Sequence, residues 1–90
     1  LRGAPANSIA RLNLKLARAE TWTAVIRYRT GEREGILKEL ERTWKIMEDA
    51  KFLGWLPMKD VLEIRRDLYQ SGGNDKRAAE MQDLLRRLVK

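Results

Sequence analysis

Ile36, Leu40, Trp44 and Met47 recur at spacings of four, four and three, with Leu37 beside them. Apolar residues so spaced line one side of an α-helix, which turns once every 3.6 residues, whereas on a strand they would scatter over both faces. The ladder predicts a helix over residues 32–52. Its charges agree with that direction: Glu32 and Glu34 stand near the start, where the helix dipole favours anions, and Lys51 near the end, where it favours cations. Glu34 with Lys38, and Glu41 with Lys45, are i,i+4 pairs in the favourable orientation. Gly54 is the expected stop, followed by Trp55-Leu56-Pro57 as a connection.

The second half repeats the pattern. Val61, Ile64 and Leu68, with Leu62 and Tyr69 alongside, predict a shorter helix from Met58 or Lys59 to the Ser71-Gly72-Gly73 break. Asn74 then caps a last helix carrying Ala78, Met81, Leu85 and Leu88, with Leu84 added. Helices joined by short turns imply antiparallel neighbours. The expected fold is all-α: a small antiparallel bundle or helical-hairpin repeat of about four helices, with residues 1–6 a flexible arm and residues 7–90 one helical domain.

Residues 7–30 admit two readings. Asn7 and Ser8 suit an N-cap, Ile9, Leu12 and Leu16 follow at helical spacing, and Trp22, Val25 and Ile26 extend the stripe to Thr30-Gly31. Yet Leu12, Leu14 and Leu16 alternate as on a strand, and so do Trp22, Ala24, Ile26 and Tyr28, so a β-hairpin over residues 11–29 is the alternative. Ala17-Arg18-Ala19-Glu20 in the middle favours helix, because it lacks the Gly, Asn or Pro of a tight hairpin turn. A break near Ala19 to Thr21 would give two helices instead of one.

With 90 residues, no cysteine and no histidine, the chain lacks the usual thiol and imidazole chemistry. Disulfides and thiolate metal sites are excluded, and the commonest general base and metal ligand are missing. Asp49, Asp60, Glu63 and Asp67 include helix-spaced carboxylate pairs of the kind that hold hard metal ions, but each has Lys or Arg nearby and no Gly-rich phosphate loop accompanies them. The expectation is a non-enzymatic module with no metal and no cofactor. Apolar runs are four residues or fewer, far below the roughly 20 of a membrane span. The absence of cysteine favours a reducing intracellular compartment, and Leu1 in place of Met suggests a piece of something longer.

Net charge is +6 and unevenly spread: residues 1–30 carry six Lys/Arg against one Glu. Arg11, Lys15 and Arg18 follow at spacings of four and three, opposite Ile9, Leu12 and Leu16, with Arg27 and Arg29 further on. Cations on one rigid face each neutralise a phosphate, and released counterions drive the binding. The same amphipathic face is of a kind that meets acidic lipid. Lys38, Arg42 and Lys45 are interleaved with Glu34, Glu39, Glu41 and Glu48, so that face reads as ion-paired surface. Trp44 and Trp22 are expected in the core, and Trp55, in a connection with Leu56 and Met58, is the expected anchor for a protein partner.

From Glu20 onward the chain resembles pentatricopeptide repeats, a helical-hairpin family of organellar RNA-binding proteins related in design to tetratricopeptide repeats. Thr21-Trp22-Thr23-Ala24-Val25-Ile26 is similar to the family's Thr-Tyr-Asn-Thr-Leu-Ile opening, and Leu40 to Pro57, closing on Gly54-Trp55-Leu56-Pro57, to its second helix; Met58 to Lys90 would be a degenerate second hairpin. Ala24 stands where the family often has a polar base-reading residue, so the resemblance implies an RNA-associated repeat of an organellar kind without assigning base readout. The leading expectation is therefore a helical module of a ribonucleoprotein assembly, with Arg11, Lys15, Arg18, Arg27 and Arg29 on phosphate. The competing one is a protein-interaction or scaffold module docking on a larger protein through Trp55, Leu56 and Met58.

Overall fold

The computed structural model describes residues 4–88, and side chains from residue 12 onward. Every regular element among them is helical: α1 (Ala4–Arg29), α2 (Ile36–Asp49), α3 (Met58–Ser71) and α4 (Asp75–Leu88), with a single 3₁₀ turn at Leu53–Trp55. The alternative hairpin over 11–29 is thus replaced by one unbroken helix, with no interruption at Ala19 to Thr21. α1 also runs through Pro5, Asn7 and Ser8 instead of starting after them; proline is tolerated there because the first-turn N–H groups lack helical partners anyway. α2 is shorter than expected at both ends.

Three helices stop in the same way. After α1, Glu32 N–H donates to the Arg27 carbonyl and Gly31 N–H to that of Tyr28; after α3, Asn74 and Gly73 do the same to Tyr69 and Gln70. These paired bonds require a left-handed residue in the turn. Gly31 (φ 102°) and Gly73 (φ 81°) supply it without strain, whereas after α2 the position falls to Lys51 at φ 64°. Phe52 N–H reaches Met47 and Lys51 N–H reaches Glu48, so the turn that stops α2 (Ile36–Asp49) is at Lys51 and not at Gly54. A side chain at positive φ costs about 1–2 kcal/mol. Lys51→Gly is accordingly expected to raise stability by about 1 kcal/mol, read as a higher urea midpoint; a lowered midpoint would mean that the lysine side chain outweighs the backbone strain. Asn74 caps α4 as expected, its Oδ1 accepting from Arg77 N–H at 3.2 Å.

α1 packs chiefly on α2, and α3 on α4, giving two hairpins with sparser contact between them. Ala24, Val25, Ile36, Leu40, Val61 and Ile64 form the cluster where α1, α2 and α3 meet. Leu62, Tyr69, Ala78, Met81 and Leu85 join α3 to α4. Ala17, Met47 and Leu56 close the third cluster under the 3₁₀ turn. Trp44 packs against all three.

One polar network is embedded in this core. Tyr69 O–H donates to the Glu41 carboxylate and accepts from Arg65 Nη2 at 3.1 Å, tying α3 to α2. The buried Arg65 guanidinium lies 5.7 Å from the ring centres of both Trp44 and Tyr69. Its Nε is buried without a hydrogen-bond partner among the described residues.

Candidate interaction surface

The face α1 buries is not the one its large side chains suggest. Ala17, Thr21, Ala24 and Val25 are the buried residues of the helix, with Leu14 and Tyr28 partly covered. They are mostly small, which lets α2 approach closely. The hydroxyl of buried Thr21 is satisfied within the helix, donating to the Ala17 carbonyl at 2.8 Å. Leu12 (63% exposed), Leu16 (58%), Ile26 (55%) and Trp22 (41%) point outward instead. Expecting Leu12, Leu16, Trp22 and Ile26 on the core side was therefore wrong: α1 has two apolar faces, and its smaller residues take the interior.

The outward residues are ordered. Leu12, Leu16, Ala19, Thr23 and Ile26 follow one another at spacings of four, three, four and three. At 100° per residue they form one stripe about 180° from the buried one. Ala19 and Thr23 are exposed like their neighbours. Thr23 donates its hydroxyl to the Ala19 carbonyl at 2.9 Å, so the helix itself satisfies its polar group. Lys15 and Trp22 border the stripe on one side, Asn13, Glu20 and Arg27 on the other.

The five cations expected on phosphate do not form one open patch. Arg27 Nε donates to Glu32 at 2.7 Å and Arg29 reaches Asp60 on α3 at 3.1 Å. Lys15 is exposed, and Arg18 lies with its guanidinium 6.0 Å from the Trp55 ring centre. The Arg11 side chain lies outside the described ones, as does that of Ile9. Arg42 binds both Glu20 and Glu39 at 2.7 Å, and these hydrogen bonds, Glu39's first, hold its proton still more firmly than usual. Lys45 pairs with Asp49 at 3.6 Å, in keeping with the ion-paired reading of that face.

The expected partner anchors divide as well. Trp55 is 42% exposed and tilted against Phe52, ring centres 4.7 Å apart. Leu56, however, is buried and Met58 half-buried, both in the third core cluster. Those two close the core because the chain must fold back over Met47 before α3 begins. Three of the four candidate carboxylates are also engaged, Asp60 with Arg29, Asp67 with Arg66 and Asp49 with Lys45. Among the described residues no three potential ligands gather around a metal position, and no helix is long and apolar enough to cross a membrane.

In the sequence this surface merges with the core face, because Leu12, Leu16 and Ile26 share helical spacing with Val25. The signal that separates them is the strict four-three alternation from Leu12 to Ile26, beside a second series of small residues, Ala17, Thr21 and Ala24, at the same spacing. Compared with known protein families, curated proteins and solved structures, the chain matches none.

Proposed function

We propose that this chain is a non-enzymatic protein-interaction module that docks through the outward face of α1. The observation that carries the reading is the exposure of Leu12, Leu16, Trp22 and Ile26 along one helix face. A contiguous apolar strip left in water is costly, and on folded proteins such strips mark contact with another macromolecule. An amphipathic helix offering anchors three and four residues apart is a common docking element.

The test is affinity capture from the source cell with the tagged chain and with its Leu16→Glu variant. The parent is expected to retain proteins, copies of itself included, that the variant loses, while both give the same helical circular-dichroism spectrum because Leu16 is not in the core. Identical retention by the two would overturn the reading.

A second reading, association with RNA within a ribonucleoprotein assembly, draws on the net charge of +6 and on exposed Lys15 and Arg18, with the resemblance to pentatricopeptide repeats speaking for it. It makes the opposite demand. Anisotropy of a labelled single-stranded RNA should rise with the parent and with Leu16→Glu alike, weaken steeply with salt, and vanish when Arg11, Lys15 and Arg18 become Glu.

A further inference from the structure

We infer that the outward face of α1 pairs with the same face of a second copy as a parallel, in-register two-stranded coiled coil. The inference rests on the docking reading above and names its occupant. Three features argue for it.

The first is register. Placing Leu16 and Thr23 at position a of a heptad puts Leu12, Ala19 and Ile26 at d. Leu12 to Ile26 thus fits two heptads, the repeat along which two helices wrap around each other. The second is access. All five seam residues are exposed, and α2 and α3 pack on the opposite face of α1, so neither covers the seam. Exposed Ala19 and the methyl of Thr23, whose hydroxyl is already donated to Ala19, allow close approach at mid-seam.

The third is complementarity, and it selects both the partner and the direction. In the same heptad Lys15 and Trp22 occupy g, and Glu20 and Arg27 occupy e. In a parallel pair each g residue faces the e residue five positions on in the other copy. Lys15 then meets the second copy's Glu20, and Trp22 meets the second copy's Arg27, whose Nε bond to Glu32 leaves the face of the guanidinium to lie over the indole. Two-fold symmetry makes each contact twice. Glu20 already accepts from Arg42 at 2.7 Å, but a carboxylate has lone pairs for both cations. An antiparallel pair would instead set g against g and e against e, and lose the Lys15–Glu20 match. Each copy carries +6, yet charges beyond about 8 Å are screened at physiological salt, which leaves the seam-edge pairs to decide.

The experiment is sedimentation equilibrium of the full chain from about 1 to 100 µM. The expected mass is twice the 10.5 kDa of the chain, with a dissociation constant of about 10 µM for so short a seam. Leu16→Glu buries two carboxylates against each other and is expected to weaken pairing at least about 100-fold. Lys15→Glu, a surface change that leaves the fold alone, sets like charges at both edge pairs and is expected to weaken it about tenfold. Because the chain has no cysteine, Leu12→Cys reports the direction: under mild oxidation it crosslinks to itself in a parallel pair, whereas an antiparallel pair sets Leu12 near Thr23 of the other copy and crosslinks only a mixture of Leu12→Cys with Thr23→Cys. A monomer throughout the range overturns self-pairing, and leaves the docking reading standing if Leu16→Glu still loses a foreign protein. A dimer indifferent to Leu16→Glu, or one that crosslinks only in the mixture, overturns the proposed arrangement.

Discussion

Leu40→Ala is expected to destabilise the chain by about 3 kcal/mol, lowering its melting temperature by roughly 10–20 °C. Leu40 is wholly buried where α1, α2 and α3 meet. Truncating it removes the transfer energy of its methyl groups and leaves a cavity lined by Val25, Ile36 and Val61, which belong to three different helices and cannot all move in. In a domain of this size that loss is a large part of the whole margin. Urea unfolding followed by circular dichroism checks it: the midpoint should fall at unchanged slope. A midpoint within experimental error of the parent would place Leu40 outside the core.

The second large effect concerns the buried network. Tyr69→Phe removes the hydroxyl that bonds both Glu41 and Arg65, and is expected to cost about 2 kcal/mol, because it strands a buried guanidinium as well as losing a charge-assisted bond. Arg65→Met, which takes the charge away and keeps the bulk against Trp44, should stay within about 1 kcal/mol of the parent. If instead Arg65→Met proved the costlier change, stacking of the guanidinium on the two rings would be the dominant contribution. The network also has a pH signature. Burial first, and the Glu41 carboxylate second, push the Tyr69 hydroxyl above its ordinary 10, with Arg65 acting the other way. Its contribution is therefore complete below pH 10, where folded and unfolded phenols are both protonated. It declines above 10 as the unfolded phenol ionises first, and is lost once pH passes the folded value. The stability difference between parent and Tyr69→Phe should shrink over that interval and stay flat below it.

How much of this was legible in the sequence differs along the chain. Ile36, Leu40 and Met47 are buried as their ladder required, as are Val61 and Ile64 on α3 and Ala78, Met81 and Leu85 on α4. Each of those helices has a single apolar stripe, so periodicity and burial coincide. α1 breaks the link because it carries two stripes. Reading by side-chain size selected Leu12, Leu16 and Ile26 for the interior, when close helix approach selects Ala17, Thr21 and Ala24. The end of α2 was misplaced for a related reason: glycine marks a left-handed turn only where one is available, and Lys51 adopts it three residues before Gly54. Charge was the least informative guide to the surface. Counting cations shows a basic N-terminal third, but not that Arg27 and Arg29 are engaged by Glu32 and Asp60, since those pairings depend on where α1 stops and how α3 crosses it.

Among the described residues Trp44 alone is shared by all three core clusters, and the two helical hairpins touch each other less than each is packed within itself. What makes the chain melt as one body is thus the cluster of Val25, Leu40, Val61 and Ile64, the Tyr69–Glu41 bond and this indole ring together. Were that ring loosened, the coupling between the hairpins would weaken, and each would open on its own more readily. The ring thus matters less as buried area than as part of the coupling that turns two marginal pairs into one folding unit.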